Sequence, residues 1–189
     1  MKLVFATHNK NKFIEVKNQL PNHIELLSLD DIGCNEDIAE TADTIEGNAI
    51  LKANYVREHY GLDCFADDTG LEVEALDGAP GVYSARYAGP GNDAQANMNK
   101  LLTALNSKTN RKARFKTAIA LSINTSQELF VGICEGTITE LPQGERGFGY
   151  DPIFLPSNEK ETFAQMSLEQ KSTIGHRGKA MRKLIAFLH

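Results

Sequence analysis

Apolar residues recur along the chain in two rhythms, and these lay out the elements. Leu3, Val4, Phe5 and Ala6 form a short unbroken run, the mark of a buried strand, which stops at the polar loop Thr7-His8-Asn9-Lys10-Asn11-Lys12. Phe13, Val16 and Leu20 follow at spacings of three and four and predict a helix ending at Pro21. Residues 22–44 are acidic and irregular, with one strand expected near Glu25–Leu29. Ala49, Ala53, Val56 and Tyr60 predict a second helix from about Ile45 to Tyr60, closed by Gly61. Cys64-Phe65-Ala66 reads as a short strand running into Asp67-Asp68, and Leu71, Val73 and Ala75 alternate with Glu72 and Glu74 as a half-exposed strand.

Gly78 to Asn92 is rich in glycine and proline and reads as loop, after which Asp93 caps a third helix with Ala94, Met98, Leu101 and Leu105 inward. Alternation over Phe115–Ile123 and again over Leu129–Ile133 predicts a hairpin. Pro142 to Gly149 is a glycine-rich loop, Ile153-Phe154-Leu155 a short strand, and Ser167 with Gln170 a capping box. A last helix from about Arg177 carries Ala180, Leu184 and Phe187 on one face. Strands and helices mixed in this way make an α/β chain, and the hairpin makes its sheet mixed rather than purely parallel.

With 189 residues, no repeats and no linker, the chain is expected to be a single domain, residues 1–189, with room for two lobes. Its net charge of -5 argues against a general nucleic-acid binder, which would carry a basic face, but leaves room for a local basic pocket. Cys34, Cys64 and Cys134 are odd in number and scattered, which fits small buried side chains in a reducing compartment better than a disulfide framework or a zinc site. The N-terminal apolar run is too short for a secretory signal, and no segment approaches the ~20 apolar residues of a membrane span. A cytoplasmic protein with no membrane partner is the expectation.

Five constellations carry candidate chemistry. The loop from Thr7 to Lys12 enters a helix N-terminus, where free backbone N–H groups, the helix dipole and two lysines suit a phosphate. A solvated polar turn accounts for it about equally well, and no Walker loop is present. Asp67 and Asp68, with Thr69 and Gly70, follow an apolar strand. Two carboxylates at a strand's C-terminal end suit Mg²⁺ and the activation of a water, the bland alternative being a turn. The acidic stretch containing Glu36, Asp37, Glu40, Asp43 and Glu46 is mostly solvated surface, from which one residue could reach a metal. Phe148, flanked by Gly147 and Gly149, is open to stack on a flat base, with Asp151 as a hydrogen-bond acceptor. Lys171 and the Gly175-His176-Arg177-Gly178-Lys179 helix start gather donors for an anion or a base carbonyl.

In this order the segments resemble the inosine triphosphate pyrophosphatase family over nearly the whole chain. The resemblance is carried by Ala6-Thr7-His8-Asn9-Lys10-Asn11-Lys12, Glu46-Gly47-Asn48-Ala49 with Lys52-Ala53, and Ala66-Asp67-Asp68-Thr69-Gly70-Leu71. It continues through Gly78-Ala79-Pro80-Gly81-Val82-Tyr83-Ser84-Ala85-Arg86, Gly147-Phe148-Gly149-Tyr150-Asp151-Pro152, Lys171 and His176-Arg177. It implies a long, twisted mixed sheet with flanking helices, two lobes around a central active-site cleft, and a homodimer. The implied activity is hydrolysis of purine nucleoside triphosphates carrying hypoxanthine or xanthine to the monophosphate and pyrophosphate. By position, Thr7, His8, Asn9, Lys10, Asn11 and Lys12 would take the triphosphate. Asp68 would be the catalytic acid residue and hold Mg²⁺, with Asp67 beside it and Glu40 as a second metal-linked carboxylate. Thr69 would contact substrate. Phe148 would stack on the base, Gly149 and Tyr150 would be substrate-binding residues beside it, and Asp151, Lys171, His176 and Arg177 would recognise the base. The chain departs from many relatives at Gly175, where they have serine, and at His8, where they have a small residue. Removal of only the terminal phosphate and nucleotide binding without hydrolysis are the rival readings, to be separated by product analysis and a turnover assay.

Overall fold

The computed structural model describes residues 1–189. Its strands are β1 (Lys2–Phe5), β2 (Glu25–Leu27), β3 (Cys64–Val73), β4 (Pro80–Gly81), β5 (Lys112–Ile123), β6 (Ser126–Ile138) and β7 (Phe154–Pro156). Its helices are α1 (Lys10–Lys17), α2 (Ile45–Tyr60), α3 (Ala94–Ala104), α4 (Leu168–Ile174) and α5 (His176–Leu188). The strands form one sheet in the order β2-β1-β3-β5-β6-β7, with β4 paired to β3. β1 is parallel to both β2 and β3, while β4 and β7 are antiparallel to β3 and β6, so the sheet is mixed. No helix is long and apolar enough to cross a membrane.

The local chemistry explains most boundaries. Asn9 caps α1, its side-chain oxygen accepting from the N–H groups of Asn11 and Lys12, and Thr44 caps α2 through Gly47. Gly61 ends α2 in the left-handed conformation at φ 66, where a side chain would be strained. Asp93 caps α3, and Ser167 with Gln170 forms the expected capping box on α4. Asn124, at φ 52, lets the two-residue connection between β5 and β6 reverse the chain.

One difference from the sequence reading matters for function. Asp67 and Asp68 do not stand at the end of a short strand; they lie inside the ten-residue strand β3.

The chain divides into two compact units. The first comprises Met1–Asp68, Thr117–Gly132 and Arg177–His189. Its core joins Leu3, Phe5, Val16, Phe65, Ile119 and Leu121 to Ala180, Met181 and Leu184 of α5, and the Phe5 and Phe65 rings stack with centroids 4.7 Å apart. The second comprises Thr69–Lys116 and Ile133–His176. Its core packs Met98 and Leu101 of α3, and Leu105 just past its end, on Leu71, Val73, Phe115, Phe154 and Phe163.

Candidate active site

In the first unit, strand alternation sends the two adjacent carboxylates to opposite faces of β3. Asp67 shares its side with Phe65, which packs on α1 and α5 through Val16, Ala180 and Met181. There Lys12 Nζ of α1 stands 3.0 Å from Asp67 Oδ1, and Arg177 Nε of α5 stands 3.0 Å from Asp67 Oδ2. Arg177 Nη1 also pairs with Glu15, one turn along α1 from Lys12. Glu15, Asp67 and Arg177 are all buried, so a closed set of two acids and two bases fixes α1, β3 and α5 together. Burial opposes charge on Asp67, but Lys12, Arg177 and Lys52 outweigh it and hold its carboxyl well below the usual range. Lys12 is shifted the other way: burial, with Lys52 and Arg177 nearby, lowers its pKa despite Asp67.

Asp68 shares its side with Cys64, whose thiol reaches the Ala53 carbonyl of α2. There the first turns of α2 present Asn48 and Lys52, four residues apart and therefore on one helix face. Asn48 Nδ2 donates to Asp68 Oδ2 at 3.2 Å, and Lys52 Nζ lies 3.9 Å from Asp68 Oδ1 while pairing with Glu40. Burial is the main influence on Asp68 and raises its pKa, against the pull of Lys52 and Lys12. Burial alone would lower Lys52, but Asp68, Glu40 and Asp67 more than reverse this and its pKa rises. An acid whose proton affinity is raised beside a lysine that stays charged suits proton acceptance followed by charge stabilisation.

The structure thus gives the two aspartates different work. Asp67 has an ion-pair partner on each oxygen, which leaves it poorly placed as a metal ligand. Asp68 and Glu40 converge on one positive charge, the Lys52 ammonium. No group of three or more His, Cys, Asp or Glu side chains is gathered to hold a metal. Two carboxylates fit Mg²⁺, which takes one or two such ligands and completes its shell with water and substrate phosphates, and do not fit a zinc cage.

The Thr7–Lys12 loop is shaped differently from the open cradle read from sequence. Asn9 Oδ1 closes the first N–H groups of α1, accepting from Asn11 N at 3.0 Å and Lys12 N at 3.1 Å, and Asn9 N donates to Thr7 Oγ1 at 3.2 Å. His8 Nε2 lies 3.0 Å from the Glu36 carbonyl oxygen. Lys10 and Asn11 are exposed and Thr7 is half-buried. A cavity of about 330 Å³ runs along Thr7, His8, Asn9 and Lys10 and is closed by Phe13 and Asp30.

In the second unit, Phe148 is half-buried, with Lys171 Nζ 4.8 Å from its ring centroid. Lys171 Nζ also lies 2.7 Å from Asp151 Oδ2, which accepts from Phe148 N at 2.9 Å. Gly147, at φ 73, has no room for a side chain, since a Cβ there would stand 2.0 Å from Asp151 Oδ2. Gly149 also takes a positive φ, 61. Tyr150 is buried in the core and its hydroxyl donates to the Ser84 carbonyl, so its side chain faces inward rather than forming an open platform. His176 is buried, stacked on Phe115 at 4.5 Å. Thr69, next to Asp68 on β3, is half-buried. Phe148, Asp151 and Lys171 are therefore gathered into one group. Arg177, expected to read the base, is instead paired with Asp67 and Glu15 in the first unit. A larger groove of about 660 Å³ in the second unit is lined by Glu72, Glu74 and Glu135 against Lys112 and Arg114, an unsuitable balance for a polyphosphate.

A model of the Ham1 family matches residues 3–187. The chain belongs to the Ham1 family. The family member from Christiangramia forsetii, named dITP/XTP pyrophosphatase, is 63% identical over 188 residues, covering 100% of this chain and 99% of its own length. The solved Ham1 protein of Staphylococcus aureus is 40% identical with a TM-score of 0.91, and that of Coxiella burnetii is 36% identical with a TM-score of 0.92. Each covers 100% of this chain and 98% of the solved one. The α/β fold with its curled mixed sheet is thus that of the Ham1 structures.

Three residues of this Ham1 chain were not picked out as site residues from sequence: Lys52, Asn48 and Glu15. The pattern did hold a trace of them. Asn48 and Lys52 each precede a member of the buried Ala49–Ala53–Val56 stripe, and all five are buried. Glu15 precedes buried Val16. A charged or amide side chain flanking a core stripe is costly to bury without a partner.

Proposed function

We propose that the chain hydrolyses non-canonical purine nucleoside triphosphates, such as those of inosine, deoxyinosine and xanthosine, to the monophosphate and pyrophosphate. The observation that carries this reading is the pairing of Asp68 and Glu40 across Lys52, beside an independently pinned lysine of the phosphate loop. The dITP/XTP pyrophosphatase name of the Christiangramia forsetii relative supports it.

Asp68 accepts the proton of a water that attacks the α-phosphorus, and the bond to the bridging oxygen breaks so that pyrophosphate leaves. Lys12, held by Asp67, and exposed Lys10 bind the triphosphate, and Lys52 stabilises charge developing near Asp68. Asp68 and Glu40 would hold Mg²⁺, which when bound neutralises phosphate charge. Lys171, oriented by Asp151, donates to the 6-keto oxygen while Phe148 stacks on the ring. A 6-amino base would leave the Lys171 donor facing another donor. The same reading takes the protein as a cytoplasmic homodimer, which sedimentation and cell fractionation test.

The deciding experiment is a panel of purine triphosphates with Mg²⁺, read for both rate and product. Inosine, deoxyinosine and xanthosine triphosphates should be turned over well ahead of adenosine triphosphate, and the product should be pyrophosphate. Release of inorganic phosphate alone would overturn the bond assignment, and binding without turnover would make the chain a nucleotide sensor.

A further inference from the structure

We propose that Asn48 is a positioning residue for hydrolysis: its single side-chain amide holds Asp68 and the loop bearing Glu40 in one fixed relation. The proposal rests on the assignment of Asp68 and Glu40 to the reacting site. Asn48 is fully buried. Its Nδ2 donates to Asp68 Oδ2 at 3.2 Å, and its Oδ1 accepts from the backbone N–H of Ala42 at 2.9 Å. A carboxylate needs a donor and a backbone N–H needs an acceptor. An amide of this length supplies both from one rigid plane, whereas aspartate has no donor and alanine has neither.

The surrounding packing shows that residues 42–44 rest on the start of α2. A Cβ on Gly47 would stand 2.7 Å from Ala42 Cβ and 2.9 Å from Thr44 Oγ1, so the loop lies directly against the helix there. Thr44 Oγ1 accepts from Gly47 N at 3.0 Å, which fixes the far end of the loop. Ala42 is two residues past Glu40, so the Asn48 bond sets where the Glu40 carboxylate begins its reach. Lys52 then pairs with Glu40 and approaches Asp68 from one turn further along the same helix. One face of α2 thereby places both carboxylates, the amide by direction and the ammonium by charge.

Asn48 is enclosed by protein, so its loss should act on the chemical step rather than on nucleotide binding. The test compares Asn48→Asp and Asn48→Ala with the unaltered protein. The readouts are kcat and KM on inosine triphosphate, hydrogen exchange at the Ala42 amide, and Mn²⁺ binding to the nucleotide-free protein followed by electron paramagnetic resonance. A carboxylate misplaced by about 1 Å lowers kcat by about 100-fold. That loss is expected in both variants, with KM rising far less than kcat falls. Exchange at Ala42 should quicken and Mn²⁺ should bind more weakly. If Asn48→Asp does not fold, Asn48→Ala, which adds no charge, carries the same measurements. The proposal is overturned if kcat stays within about threefold in a folded variant, or if KM rises as much as kcat falls. Asp68→Asn separates the two levels of the claim. If it keeps its rate, the site reading itself is wrong; if it loses its rate while the Asn48 variants keep theirs, only the positioning role fails.

Discussion

At the scale of single residues, Asp67 and Asp68 show how far identical side chains can diverge. One is held ionised by half-buried Lys12 and buried Arg177, and the other is pushed toward its protonated form by burial. Their opposite surroundings were not legible from the local pattern because they depend on strand parity. Had the chain turned at Asp67-Asp68, the carboxylates could have converged on one ion; inside a continuous strand they cannot. The presence of buried, partnered carboxylates here was legible, because an apolar run rarely ends in two charges without cause. Asp67→Asn should cost about 3–5 kcal/mol at neutral pH, since it removes the carboxylate charge paired with half-buried Lys12 and with buried Arg177. The pH dependence has a definite sign. A lowered acid pKa contributes stability that is complete above the ordinary value of 3.8 and is lost as pH falls toward the folded value. Urea denaturation of both proteins should therefore show a wide gap at neutral pH that narrows below pH 3.8. A gap that stays constant would mean packing, not charge, is responsible.

At the scale of elements, amphipathic helices and their caps were the most readable features. The second helix, the Asp93 cap and the Ser167–Gln170 box all stand where periodicity and capping chemistry place them. The first helix begins earlier than its apolar face suggests, at Lys10, because the Asn9 side chain rather than a hydrophobic residue starts it. That same cap closes N–H groups which the sequence offered as phosphate donors, so the proposed binding of a triphosphate leans more on Lys10 and Lys12. The Gly147–Asp151 turn is a second element whose shape serves a side chain. A methyl at residue 147 would meet Asp151 Oδ2 at 2.0 Å and require a side chain at φ 73. Gly147→Ala should lower stability by about 1–3 kcal/mol. It should also separate Asp151 from Lys171, so that KM for inosine triphosphate rises more than kcat falls and preference over adenosine triphosphate shrinks. Steady-state kinetics on the two nucleotides checks this, and unchanged preference would remove the Asp151–Lys171 pair from base reading.

At the scale of the whole molecule, the mixed character of the sheet was legible from the hairpin, but the placement of β1 between β2 and β3 was not. Those parallel pairings join segments far apart in sequence, and local periodicity carries no information about partners. The charge balance poses a related problem of scale: a chain of net charge -5 must bind a polyanion. The local arrangement answers it only in part. Lys12 and Lys52 are already countered by Asp67, Asp68 and Glu40, so a bare triphosphate gains little net positive charge there. A divalent ion arriving with the substrate supplies what the protein lacks, and binding should therefore be strongly linked to it. The α,β-methylene analogue of inosine triphosphate, which cannot be cleaved at the proposed bond, makes this measurable without turnover. At a hundredfold excess over its Kd, a ligand that binds only the folded state stabilises by about 2.7 kcal/mol. For a chain of this length, each kcal/mol moves Tm by roughly 2–4 °C, so a rise of about 5–11 °C is expected with Mg²⁺ present. Chelating the metal should remove most of that rise, and the corresponding adenosine analogue at the same concentration should produce far less of it. A full shift in the presence of chelator would show that the lysines alone bind the triphosphate and that Asp68 and Glu40 serve some other purpose.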